Sequence, residues 1–134
     1  MKVVAIVQAR MGSKRLPGKV LKNILGKPMI ELLLTRLSKS KELHEIVVAT
    51  STETEDDNLY LAVKSLGYKC FRGSEKDVLN RYYETSKKVS ADIIVRITAD
   101  CPLIDPKLVD ECVQGFKNYK VDYFSNTNPR TYPD

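Results

Sequence analysis

A chain of 134 residues, 43% apolar and 29% charged, suits a single domain around one core. That balance excludes a disordered chain, and three Cys without a C-x-x-C pair exclude a disulfide scaffold and fit reduced thiols. The first apolar run, residues 3–7, is too short for a membrane span or a signal-peptide core, so a cytoplasmic protein with no membrane partner is expected. The net charge of +5 is uneven, with ten basic residues against one acid (Glu31) in residues 1–41. An excess of that kind points to an anionic partner, either a phosphorylated small molecule or a nucleic acid.

Along the chain, residues 3–7, 46–49 and 93–95 are continuous β-branched runs, the pattern of strands buried on both faces. Residues 69–71 and 121–124 are weaker strand candidates. Between the strands, Ile30, Leu33, Leu34 and Leu37 recur at helical spacing after Pro28, a residue suited to a helix start. Leu59, Ala62, Val63 and Leu66 form a second stripe that Gly67 is placed to cap. Val78, Leu79, Tyr82 and Val89 make a third stripe; Val109, Cys112, Val113 and Phe116 make a fourth after Pro106. Strands alternating with helices predict βαβ units and a mostly parallel sheet.

Ligands of open parallel sheets bind beyond the carboxyl ends of the strands, and two polar segments fall there. The first, residues 8–19, carries Arg10, Lys14, Arg15 and Lys19 together with Gly12, Gly18 and Pro17. Glycines let backbone N–H groups approach an oxyanion, Arg supplies forked donors, and Lys a mobile charge. The segment reads as a polyphosphate cradle or as a solvated basic loop; it is neither a G-x-x-x-x-G-K-[ST] loop nor a G-x-G-x-x-G turn. The second segment follows the strand at 92–97 and contains Asp100 and Asp105. Asp105, before Pro106, reads as a helix cap; Asp100 reads equally as a cap or as a carboxylate for Mg²⁺. If the strand at 92–97 lies beside the first strand, both segments face one crevice, the equipment of phosphoryl or nucleotidyl transfer.

Other residues have plainer readings. His44 is expected at the surface, and Cys101 as a small turn residue. Tyr82, Tyr83, Tyr119 and Tyr123 are expected in packing, and the acidic run 53–57 as a solvated helix start. The cations sit in one Gly/Pro loop with neither an aromatic platform nor a recognition helix, which argues against a nucleic-acid partner.

Val7-Gln-Ala-Arg-x-x-Ser-x-Arg-Leu-Pro-Gly-Lys19 followed by Leu25-Gly-Lys-Pro-Met-Ile30 resembles the opening of the sugar-acid cytidylyltransferases, the acylneuraminate and 3-deoxy-manno-octulosonate CMP-sugar synthetases. The blocks at 71–82 and 96–106 look closest to the spore coat polysaccharide branch of that family. The resemblance implies a Rossmann-like three-layer α/β/α nucleotide-diphospho-sugar transferase fold. It implies transfer of CMP from CTP to a sugar or sugar acid, with Mg²⁺ and release of pyrophosphate. The alternatives are a glycosyltransferase or other nucleotidyltransferase on the same fold, or a non-catalytic nucleotide-binding fragment. By the same resemblance, Arg10, Ser13, Arg15 and Lys19 hold the triphosphate, with Arg10, Arg15 and Lys19 countering transition-state charge, and Ala9 adds backbone contacts. Arg72, Gly73 and Ser74 lie near the cytidine and Asp100 is the metal carboxylate; Arg81 belongs to the block of Arg72, with an ion pair as its plainer reading. Residues 1–134 then form a single nucleotide-binding domain, the front part of a longer cytidylyltransferase-like domain. The second metal carboxylate, the sugar site and dimerisation elements that would allow a homodimer are expected beyond residue 134.

Overall fold

The β-branched run at the N-terminus forms β1 (Val3–Gln8), around which the sheet is built. The computed structural model describes residues 1–11, 21–24, 26–99 and 103–119. After β1 come a short ribbon, β2 (Asn23–Ile24) and β3 (Lys27–Pro28), and then α1 (Met29–Leu37). Next are β4 (Glu45–Ser51), a 3-10 turn at Thr54–Asp56, α2 (Asp57–Ser65), and β5 (Lys69–Gly73). The described part closes with α3 (Val78–Lys88), β6 (Ile93–Thr98) and α4 (Pro106–Tyr119). The strand candidate at 121–124 and the residues Cys101 and Tyr123 lie outside the described residues.

The main sheet has the order β5-β4-β1-β6, with every neighbouring pair parallel. β1 pairs with β6 from Val3↔Ile93 to Gln8↔Thr98, the adjacency expected from the sequence. Side chains alternate between two apolar layers. Ala5, Val7 and Val48 pack with Leu33, Leu34 and Leu59 of α1 and α2. Val4, Ile6, Val47 and Ala49 pack with Tyr82 and Val89 at α3. Residues Val3, Val4, Ala5, Ile6 and Val7 are all wholly buried, each Val or Ile contributing about 1.5–3 kcal/mol. Helices on both faces make the three-layer α/β/α architecture that the alternating pattern predicts.

β6 departs from the expectation of strands buried on both faces. Ile93 and Ile97 are buried, whereas Ile94 is 41% exposed. Among the described residues β6 pairs on one side only, with β1, and packing is thinner at an edge. Tyr82 is buried as expected, but Tyr83 is 55% exposed and carries Lys87 over its ring, which corrects its reading as a packing residue. Gly67 follows α2 at φ +90°, the left-handed cap its position predicts. Asp105 caps α4, accepting from the Lys107 N–H at 2.9 Å. His44 is exposed as expected, yet its Nδ1 accepts the Val3 N–H at 2.8 Å and so fixes the start of β1.

Asp110 ties α4 to the connection between α1 and β4. Its carboxylate accepts from the Ser40 hydroxyl and from the N–H groups of Lys41 and Glu42. Burial alone would raise its pKa, but these donors hold it below the ordinary value of 3.8. A carboxyl depressed in this way stabilises the fold above its unfolded pKa and loses that contribution as pH falls through the folded value. Asp110→Asn is therefore expected to cost about 1 kcal/mol at neutral pH, with the gap to the parent closing in acid; urea melts at neutral and acid pH measure both.

Candidate functional site

The sheet order reverses at β1, since β4 and β5 extend to one side and β6 lies on the other. In such sheets the crevice outside the carboxyl ends, at the reversal, is the natural ligand site. The chain leaves β1 there in register with both neighbours. The Ala9 N–H donates to the Ala49 carbonyl at 3.1 Å, and the Ala99 N–H to the Gln8 carbonyl at 3.0 Å. The basic segment thus starts, with Ala9 buried, beside the residue that precedes Asp100.

The next link is one that sequence reasoning missed. Asp56, in the run expected to be solvated, is wholly buried. Its Oδ1 accepts the Met11 N–H at 2.7 Å, and its Oδ2 accepts the Ser51 hydroxyl. A buried carboxylate needs such donors, and here they join the start of the basic loop to the end of β4. The signal available in the sequence was weak: one acid among four in residues 53–57 carries the buried role.

The expected residues of the second block separate by role. The guanidinium of Arg72 is committed to its own chain: Nε donates to the Ser51 carbonyl and Nη2 to the Glu53 carbonyl, each at 2.8 Å. It also pairs with Asp57 at 2.8 Å and lies over the Tyr60 ring. Gly73 ends β5, and its carbonyl accepts from Thr52 N–H at 3.0 Å. A Cβ at Gly73 would meet Arg81 Cγ at 3.2 Å, so a side chain there displaces Arg81. Ser74 is exposed; its hydroxyl accepts the Asp77 N–H, and Asp77 caps α3 by accepting from Asn80. Arg10 is partly exposed and reaches Glu75 at 3.4 Å.

The structure thus brings Ala9, Arg10, Gly73 and Ser74 to one end of the sheet, with Arg72 beside them on β5. Ser13, Arg15, Lys19 and Asp100 lie outside the described residues. No cluster of three His, Cys, Asp or Glu suited to a metal occurs among the described residues. Cys70 is buried, which pushes its thiol up to about 11 and suits a packing role rather than a nucleophile. No helix among the described residues is long and apolar enough to cross a membrane.

The sequence profile of the cytidylyltransferases matches residues 4–132. An uncharacterized protein of Methanocaldococcus jannaschii is 48% identical over 128 residues, which cover 96% of this chain and 53% of that one. The spore coat polysaccharide biosynthesis protein SpsF of Bacillus subtilis is 38% identical, over 90% of this chain and 52% of its own. Among solved structures, a CMP:2-keto-3-deoxy-manno-octonic acid synthetase complexed with CTP superposes with a TM-score of 0.81. It is 34% identical, and the match covers 90% of this chain and 49% of that one. The chain spans about half the length of these relatives.

Asp56→Ala is expected to destabilise the fold by about 2–3 kcal/mol, because it strands the Met11 N–H and the Ser51 hydroxyl. Asp56→Asn keeps an acceptor for Met11 and is expected to cost less than half of that. Equal losses in chemical denaturation would show that charge, not the hydrogen bonds, is what Asp56 supplies.

Proposed function

The chain belongs to the cytidylyltransferase family, and from that premise we propose that it forms the nucleotide-binding part of an enzyme that transfers CMP from CTP to a sugar or sugar acid. An acceptor hydroxyl attacks the α-phosphorus; the bond to the β-phosphate oxygen breaks, pyrophosphate leaves, and the hydroxyl proton passes to solvent or a base. The observation that carries this reading is the pinned exit of β1. Ala9 and Met11 are fixed by Ala49 and Asp56, so the cationic loop begins at the reversal point of the sheet.

In this reading Arg10, Ser13, Arg15 and Lys19 bind the triphosphate, and Arg10, Arg15 and Lys19 counter the charge that grows on the departing pyrophosphate. The backbone of Ala9, with Gly73 and Ser74, borders the nucleoside. Arg72 acts through position, holding the turn after β4 against the end of β5. Asp100 directly follows Ala99, whose N–H is bonded to the end of β1, and one carboxylate beside substrate phosphates is a donor set that fits Mg²⁺. When bound, that ion supplies charge neutralisation on the phosphates. The relation to SpsF supports a role in surface or spore-coat polysaccharide synthesis. A cytoplasmic location and a full-length homodimer are part of the same proposal.

Calorimetric titration with CTP, UTP and ATP, with and without Mg²⁺, tests the nucleotide site. Selective CTP binding strengthened by Mg²⁺ is expected, and Lys19→Ala should weaken CTP binding more than CMP binding. In the full-length enzyme, pyrophosphate release from CTP with a panel of sugar acids should fall at least about a hundredfold in Asp100→Ala. Unchanged release in that variant would remove Asp100 from the mechanism.

A further inference from the structure

Arg36, in the last turn of α1, reaches a carbonyl 68 residues further along the chain. Its Nε donates to the Ile104 oxygen at 2.9 Å. That oxygen stands just ahead of α4, where the Val109 N–H already turns to the Asp105 carbonyl, so it has no partner within the helix. The guanidinium gives it a charge-assisted one.

Docking of α4 does not require this bond. Val109 and Val113 are buried, and the Asp110 carboxylate is bonded to Ser40, Lys41 and Glu42. Glu42 in turn accepts from Gln114 at 2.9 Å and pairs with Lys117 at 3.7 Å. These contacts hold the middle and the end of the helix, whereas Arg36 acts on the segment in front of it.

That segment joins β6 to α4. At its start Ala99 is buried, with its N–H bonded to the Gln8 carbonyl at the exit of β1. At its end Ile104 packs against the apolar layer of α1 and α2, while Leu103 before it is 74% exposed. The bridge across residues 100–103 therefore runs between two fixed points, one set by β1 and the other by α1. A carboxylate holds an ion best when the chain that carries it is fixed before the ion arrives, and a short bridge pinned at both ends has little freedom to lose.

Resting on the reading of Asp100 as the Mg²⁺ carboxylate, we propose that Arg36 is its positioning residue. Arg36 acts through the backbone of Ile104, fixing the far end of the segment that carries Asp100. What the role demands is one N–H donor at the place of Nε, and the charge is secondary.

The test is calorimetric titration of the protein with CTP, without Mg²⁺ and at a Mg²⁺ concentration that leaves the parent partly saturated. The variants are Arg36→Met, Arg36→Gln, Asp100→Ala and the double variant of Arg36→Met with Asp100→Ala. Arg36→Met keeps an apolar stem and removes the donor. Its CTP affinity at limiting Mg²⁺ is expected to fall at least about threefold, less than for loss of a group bonded to the ligand itself. Without Mg²⁺ its affinity should stay within about twofold of the parent, and in the Asp100→Ala background the substitution should change neither affinity. Arg36→Gln places an amide N–H where Nε stands and should keep the parental response to Mg²⁺. A folded Arg36→Met with the parental response would overturn the proposal. So would an equal loss in both backgrounds, or a loss in Arg36→Gln as large as in Arg36→Met. If Arg36→Met does not fold, Arg36→Ala carries the same expectations. A parent whose CTP binding ignores Mg²⁺, or whose Mg²⁺ response survives Asp100→Ala, would instead overturn the metal reading itself, and this proposal with it.

Discussion

The carboxylate of Asp56 joins the Met11 N–H to the Ser51 hydroxyl, and through them it joins the exit of β1 to the exit of β4. Parallel strands deliver their carboxyl ends to one side of the sheet, but pairing alone does not fix where the chain goes next. β1 is bonded to β4 and β6 along its length, so its direction is set by the sheet. Beyond Ala9 the chain leaves that support, and Asp56 takes over at Met11.

A second constraint acts from the opposite face. α3 packs on Val4, Ile6, Val47 and Ala49 through Tyr82 and Val89. The same helix carries Arg81 under Gly73, so the packing that holds α3 also sets the depth of the guanidinium. Arg72 and Arg81 come from one short block yet end in different states. The first has its side-on edge filled by backbone carbonyls; the second has no partner on that edge among the described residues.

Much of this architecture was legible in the residues. The runs at 3–7 and 46–49 are continuous and β-branched because both of their faces are covered, and the structure buries them, Ile46 only in part. The helices were legible from their stripes, and Gly67 and Asp105 from cap chemistry. β6 was misread in part because an apolar run does not reveal which strand pairs on one side only, as β6 does among the described residues. The β2–β3 ribbon pairs only Asn23↔Pro28 and Ile24↔Lys27, too short for any periodicity to show. Asp56 escaped because burial of one acid in an acidic run is decided by tertiary contacts. Arg81 escaped for a related reason: an ion pair was its plainer reading, but it is buried and, among the described residues, donates to the Ser74 carbonyl instead of pairing with an acid.

The central claim is that the carboxyl ends of β1, β4 and β5 gather one nucleotide. Amide shift mapping during a titration with CTP, on uniformly ¹⁵N-labelled protein, tests it directly. The largest changes are expected at Ala9, Arg10, Met11, Ser51, Gly73 and Ser74. Changes centred instead on the opposite end of the sheet, around His44 and Asp92, would contradict the account.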